Sequence, residues 1–121
     1  MKFELTQRFY FEAAHTLKRD NESEGSARIH GHIYHAEVSV AGRPDGGTGM
    51  VVDLAVLKQK IAEVKERLDH RMLDDVQVLR AGTLENLCAF LWSDLNRSLG
   101  GITRVKVSRE ASGDSCVLTG A

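Results

Sequence analysis

Three histidines in this chain have the type and spacing of a metal site. His30 and His32 are separated by one residue at the start of a run that predicts a β-strand, so both side chains would project from the same face. His15 lies upstream, at the end of another predicted strand. Three imidazoles that leave one coordination position open are typical of a catalytic zinc site. The alternative is that His30 and His32 are ordinary strand residues and that His15 is a turn histidine.

Proton chemistry at such a site needs a base and an acid, and Asp69 beside His70 offers a carboxylate and an imidazole. Adjacent side chains do not face each other on a regular element, so the two would form a pair only where the backbone turns. The alternative is a solvated helix end. Glu110, on a strand next to a turn, has the charge to anchor a cationic or NH-donating heterocycle, and its alternative is an exposed strand carboxylate.

The composition predicts one soluble globular domain. The chain has 121 residues, 42% of them hydrophobic and 27% charged, with a formal net charge of -1. Without a basic excess, nucleic acid is not an expected partner. No apolar run approaches the ~20 residues that span a bilayer, and charged residues interrupt the N-terminus where a signal peptide would lie. Cys88 and Cys116 form no CxxC and are expected to be free thiols of a cytosolic protein.

Two predicted strands position the histidines. In residues 3–12 the odd positions are mostly apolar, which indicates a half-buried strand that leads into His15. In residues 30–41 the even positions hold His30 and His32 and then apolar side chains, so the candidate ligands continue an apolar strand face. Residues 18–28 are polar and predict a loop between two antiparallel strands. Its length is above the usual hairpin range, and long loops are often functional.

Two amphipathic helices are predicted next. Asp53 can cap the first, whose apolar side chains recur at steps of three and four from Leu54 to Leu68. Thr83 can cap the second, whose apolar stripe includes Cys88 as a core thiol. Gly100-Gly101 ends it.

The last part of the chain predicts two more strands, over residues 102–110 and 115–119. Val105 and Val107 share one face of the first of them, and Ile102 and Glu110 fall on the other, polar face. The resulting order ββααββ predicts an α+β fold: a four-stranded antiparallel sheet with both helices on one face. Such a sheet has two open edges, which oligomerisation commonly covers.

These residues together resemble the 6-pyruvoyltetrahydropterin synthase / 6-carboxytetrahydropterin synthase family over essentially the whole chain. The resemblance is carried by Phe11-Glu12-Ala13-Ala14-His15, His30-Gly31-His32, Leu68-Asp69-His70, Thr83-Leu84-Glu85-Asn86 and Glu110. It implies a tunnelling fold (T-fold), in which ββααββ subunits join into a barrel. The typical assembly is a homo-hexamer built from two trimers.

The resemblance also implies roles for these residues. Zinc would bind to His15, His30 and His32, and Asp69 with His70 would transfer protons at a neighbouring subunit's site. A pterin at the subunit interface would be held by Glu110, helped by Thr83, Leu84 and Glu85. The family substrate is 7,8-dihydroneopterin triphosphate, which loses triphosphate as protons move along its side chain. The 6-carboxy branch, on the route to queuosine, also cleaves a carbon–carbon bond, and the short chain resembles that bacterial branch more than the longer animal enzymes.

One position departs from the family pattern. In the 6-carboxy branch a catalytic cysteine stands four residues before the first histidine of HGH, and here that position is Ser26. An unassisted serine hydroxyl is too weak an acid to replace a thiolate base. Glu24, at the position of the cysteine in the animal-type pattern, is therefore the best candidate base. The alternatives are a pterin-binding protein with a different or weaker reaction, such as side-chain cleavage of dihydroneopterin, or a serine that replaces a natural cysteine. Leu84 also stands where the family usually has a hydroxyl residue.

Overall fold

The structure, a computed structural model, describes residues 1–16 and 29–120. The predicted loop over residues 18–28 lies outside the described residues. Five strands and two helices follow one another along the chain: β1 (Phe3–His15), β2 (His30–Gly42), α1 (Leu54–Glu66), β3 (Arg71–Met72), α2 (Leu84–Leu99), β4 (Ile102–Arg109) and β5 (Asp114–Thr119). Two single-turn 3-10 helices, Leu73–Asp75 and Gln77–Leu79, connect β3 to α2.

The strands form one sheet in the order β3-β1-β2-β4-β5. β1 pairs with β2, β2 with β4 and β4 with β5, all antiparallel as predicted, and the α+β class is confirmed. The prediction of four strands was wrong, because β3 adds a fifth that runs parallel to β1 at its site end. It contributes only Arg71 and Met72, paired with Ala13 and Ala14, and two residues are too short to show a strand period.

Both helices bury their apolar stripes in one core with the inner face of the sheet. Phe11 of β1 and Tyr34 of β2 stack at its centre with ring centroids 5.0 Å apart. Cys88 is buried there as predicted, and burial raises the pKa of its thiol to about 12. Leu54 was wrongly placed in the stripe of α1, since it is 44% exposed beside an apolar groove in the turn that begins the helix. Neither helix among the described residues is long and apolar enough to cross a membrane.

The predicted caps begin both helices. The Asp53 carboxylate accepts a hydrogen bond from the backbone N–H of Ala55 at 2.9 Å. The Thr83 hydroxyl accepts one from the backbone N–H of Asn86 at 3.1 Å. Each cap satisfies a donor that the first helical turn leaves without a partner, which is why these two residues fix where the helices start.

The face of β4 was predicted wrongly at Ile102, which is only 6% exposed and belongs to the core. Between β2 and β4 the register shifts: Ser39 pairs with Arg104, but Val40 pairs with Ile102. Thr103 is therefore an extra residue, a β-bulge, and the alternation of faces changes phase there. Because of this bulge Ile102 joins Val105 on the helix-facing side.

Candidate active site

The three histidines converge at one end of the sheet, where β1 ends and β2 begins. His15 is paired directly with His30 across the two strands, and His32 is two residues further along β2. Each residue offers one ring nitrogen such that all three nitrogens lie within 4.8 Å of one another. The ring centroids are 4.5 Å apart for His15–His30 and 5.1 Å apart for the other two pairs. The three predicted ligands are therefore brought together in a group that could hold a metal ion.

The chemistry of this cluster fits a metal. His15 is 1% exposed, and within the described part of the chain neither of its ring nitrogens has a hydrogen-bond partner. The Nε2 atom of His32 is buried without a partner as well. A buried polar group left unsatisfied costs about 1–3 kcal/mol. A cation that is coordinated by imidazole nitrogens, as zinc is, would satisfy these atoms.

The surroundings favour the neutral form of two of these imidazoles, those of His15 and His32. Burial, then the charges of His30 and His32, and then that of Arg109 lower the pKa of His15 to about 4. Burial, followed by the charge of Arg109 and that of His30, also lowers the pKa of His32. A metal ligand must be the neutral imidazole. At neutral pH His15 is thus already in its ligating form.

Two contacts hold His15 in place. A Cβ atom at Gly82 would lie 3.0 Å from His15 Nδ1 and 3.1 Å from a methyl of Leu73, so the absence of a side chain at this position makes room for the ring. Next to His15, the backbone N–H of Thr16 donates to the Asp74 carboxylate at 2.9 Å, and the Thr16 hydroxyl donates to it as well. The segment from Asp74 to Gly82, which precedes α2, therefore holds the end of β1 in place.

Two further side chains at this site were missed by the sequence reasoning. Tyr34 follows His32 on the same face. It is fully buried, its ring centroid lies 5.7 Å from that of His32, and its hydroxyl has no well-formed hydrogen bond to any residue that the structure describes. The Arg109 guanidinium lies beside that hydroxyl, although burial dominates and raises the pKa of Tyr34. Arg109 also pairs with Asp114 at 3.0 Å. The signal for Tyr34 was its even position in β2, and that for Arg109 its phase with the buried valines of β4.

Asp69 and His70 face each other because the backbone turns at this point. His70 has a φ of +57°, in the left-handed region, and its Nδ1 lies 3.4 Å from Asp69 Oδ2. α1 has already ended at Glu66. The condition that the sequence set for a working pair, a turn between the two residues, is met.

The pair borders a cavity that one of the three histidines also lines. This cavity has a volume of about 540 Å³, within the usual range for small-molecule sites. His32 and His70 both line it, together with Glu12, Arg71 and Met72. Of the three histidines only His32 lines this space, and Glu12 lies on the opposite face of β1 from His15.

The remaining predicted site residues lie elsewhere. Glu110 follows β4 and faces His35 on the outer side of the sheet, with Glu110 Oε2 3.9 Å from His35 Nε2, and is not brought to the histidine cluster in this chain. Thr83 caps α2, with the partly buried Leu84 and the exposed Glu85 in the first turn. Two predicted residues fall outside the described residues: Glu24, the candidate base, and Ser26, which stands at the position of the usual cysteine.

Fold and site together define a T-fold protein with a three-histidine cluster able to hold a metal. The family model described as 6-pyruvoyl tetrahydropterin synthase matches residues 4–121. The chain belongs to the 6-pyruvoyl tetrahydropterin synthase family.

Individual relatives agree with this assignment. The 6-pyruvoyl tetrahydrobiopterin synthase of Drosophila melanogaster is 35% identical over 109 residues, which are 78% of this chain and 65% of the fly protein. A relative from Archaeoglobus fulgidus, provisionally named as a 6-carboxy-5,6,7,8-tetrahydropterin synthase, is 31% identical over 98 residues, which cover 81% of this chain and 80% of the relative. The solved structure of Caenorhabditis elegans 6-pyruvoyl tetrahydropterin synthase superposes with a TM-score of 0.84 at 26% identity and covers 100% of this chain and 97% of that one. The match thus spans less than two thirds of the fly protein's own length.

Proposed function

We propose that this protein is a zinc-dependent lyase that acts on 7,8-dihydroneopterin triphosphate. The observation that carries the proposal is the cluster of His15, His30 and His32, in which buried nitrogens of His15 and His32 lack a hydrogen-bond partner among the described residues, in a chain of the 6-pyruvoyl tetrahydropterin synthase family. Bound there, zinc would supply Lewis acidity toward the hydroxyls of the substrate side chain. Relatives named both as 6-pyruvoyl and as 6-carboxy synthases support the pterin substrate.

The chain's own residues would bind the pterin and move its protons. His70 is 75% exposed at the 540 Å³ cavity, and at a site shared with a neighbouring subunit it can accept a proton from a substrate carbon or return one to it. Asp69, 25% exposed and 3.4 Å from the Nδ1 atom of His70, orients the ring. Glu110 would hold the NH-donating edge of the pterin ring, with Thr83, Leu84 and Glu85 beside it.

Glu110 lies on the outer face of the sheet, away from the cluster of its own chain, which supports a site completed by another subunit. Oligomerisation, as a homo-hexamer of two trimers, is therefore part of the proposal. Glu24 would act as the base in place of the cysteine that Ser26 replaces, and a cytoplasmic location fits the two free thiols.

A second function is favoured by Ser26 itself. A protein of this family that lacks the usual thiol would bind pterins and run a different reaction, such as cleavage of the dihydroneopterin side chain. The two functions differ in their products, because only the lyase releases triphosphate.

The deciding experiment incubates zinc-loaded protein with 7,8-dihydroneopterin triphosphate and identifies the products by mass. We expect triphosphate release together with a 6-pyruvoyl or 6-carboxy pterin, and a loss of rate of about 10²–10⁴-fold in Asp69→Ala. Unchanged substrate after hours would refute the lyase. The same assay of Glu24→Ala tests whether Glu24 is the base. The assay of Ser26→Cys tests whether the missing thiol limits the reaction.

A further inference from the structure

We propose that Glu12 is a positioning residue that decides which nitrogen of His70 carries the proton. The inference deepens the proposed function, on which it rests for the role of the Asp69–His70 pair. Glu12 lies near the end of β1, three residues before His15, and was read from the sequence only as part of a motif.

Glu12 holds the pair through three separate contacts. Its backbone N–H donates to Asp69 Oδ1 at 2.9 Å. Its backbone carbonyl accepts from the backbone N–H of His70 at 2.6 Å. Its carboxylate Oε2 lies 3.2 Å from His70 Nε2. One strand residue therefore fixes both members of the pair, and it does so from an element other than their own.

The carboxylate contact has a chemical consequence that the two backbone contacts lack. The His70 ring lies between two carboxylates, with Nε2 at 3.2 Å from Glu12 and Nδ1 at 3.4 Å from Asp69. A neutral imidazole has a single N–H, so it can donate to only one of them. The shorter contact, to Glu12, favours the tautomer with the proton on Nε2. Without Glu12 the ring would donate to Asp69 from Nδ1 and leave Nε2 as a bare acceptor.

The choice of tautomer sets the direction of proton transfer. Glu12 and His70 both line the 540 Å³ cavity, and Nε2 is the His70 nitrogen that lies beside Glu12. A proton on Nε2 makes neutral His70 a donor at this nitrogen, and an empty Nε2 makes it an acceptor there. Glu12 thus biases the resting pair toward the donor form while Asp69 orients the ring.

Other charged side chains lie near Asp69 and His70 but do not replace the Glu12–His70 contact. Lys65 and Glu66 of α1 and Arg71 of β3 line a neighbouring cavity of about 400 Å³ with Asp69 and His70. Lys65 stands over the Tyr10 ring, 4.4 Å from its centroid, and Arg71 donates to the backbone carbonyl of Glu66. Among the described residues, the carboxylates recorded against the His70 ring are those of Glu12 and Asp69.

Imidazole ¹⁵N spectra of the zinc-loaded protein at neutral pH test the inference without substrate. In wild type we expect the neutral His70 ring to be mainly protonated on Nε2. In Glu12→Ala, which keeps both backbone contacts, the Nδ1-protonated form should become the major one. Glu12→Gln, of the same size, should show a weaker shift in the same direction and keeps the test available if the alanine variant does not fold. Glu4→Ala is the matched control, since Glu4 lies on the same face of β1 but contacts Thr103 instead.

An unchanged His70 tautomer in both Glu12 variants would overturn the inference. Because these spectra require no turnover, they give an answer even if the protein leaves dihydroneopterin triphosphate unchanged, which would refute only the proposed function. Where turnover is seen, Glu12→Ala should lower kcat by roughly tenfold or more, change the shape of the pH–rate profile and leave KM within about twofold, since acid–base roles act on the chemical step. A kcat and pH profile equal to those of Glu4→Ala would contradict a positioning role.

Discussion

Acidification should destabilise the metal-free protein through His15. The pKa of this buried imidazole is held at about 4 in the folded chain, against an ordinary value of 6.5. Between these two pH values the unfolded chain binds a proton that the folded chain does not. The free energy of unfolding should therefore be fully retained above about pH 7, fall as the pH drops below 6.5 and level off near pH 4.

The size of the effect follows from the same two values. The full interval from 6.5 to about 4 corresponds to about 3 kcal/mol, at roughly 1.4 kcal/mol per pH unit. Between pH 7 and pH 5 the loss should be about 2 kcal/mol, a large part of the marginal stability of a small domain. His32, whose pKa is also lowered, adds to the loss in the same direction.

Urea unfolding in the presence of a chelator, at a fixed protein concentration, measures this loss at pH 7 and pH 5. The variant His15→Leu removes the titrating ring and its unpartnered nitrogens at similar volume. Relative to wild type it should gain about 2 kcal/mol as the pH falls from 7 to 5. The matched control is His35→Leu on the outer face, where the side chain is 37% exposed. A wild-type-to-His15→Leu difference that stays constant within about 0.5 kcal/mol between the two pH values would refute the reasoning.

Further predictions concern the packing of the site and the core. Gly82→Ala should weaken zinc binding in a calorimetric titration, because the added Cβ would lie 3.0 Å from His15 Nδ1. It should also lower the free energy of unfolding by about 1–3 kcal/mol. Unchanged zinc affinity would contradict the tight fit. Thr83→Ala and Asp53→Ala should each lower the free energy of unfolding by about 1 kcal/mol through the lost cap, and only the first should also disturb pterin binding measured by fluorescence. Cys88, with a pKa of about 12, should resist alkylation by iodoacetamide at pH 8 in the folded protein and react once urea unfolds it; rapid labelling of the native chain would argue against its burial.

The sequence was sufficient for the histidine cluster because strand alternation is a local property. Odd positions in β1 and even positions in β2 are apolar toward the core, so His15, His30 and His32 had to share the helix-facing side. The caps at Asp53 and Thr83 were equally local. What the pattern could not supply was the direct pairing of His15 with His30, which the register of the strands sets.

Features that depend on distant contacts were missed or wrongly predicted. β3 pairs through two residues and carries no periodic signal. The bulge that turns Ile102 inward arises from pairing with β2, which the alternation within β4 does not report. Arg109 of β4 lies beside Tyr34 of the neighbouring strand β2, and Glu12 contacts His70, which is 58 positions away in the chain. In each case the missing information was which segments lie side by side.

The pairing of His15 with His30 also couples ligand occupancy to local opening of the sheet. A cation held by both side chains would bind only while the ends of β1 and β2 are together, so fraying of this end and release of the metal would be one equilibrium. At a metal concentration of 1,000 times Kd, opening this end would cost about 4 kcal/mol more than in the metal-free chain. The opposite end of the hairpin, where Phe3 pairs with Gly42, contains none of the three histidines and would open independently of metal. Amide hydrogen exchange should therefore slow on metal binding at one end of the same two strands and stay constant at the other.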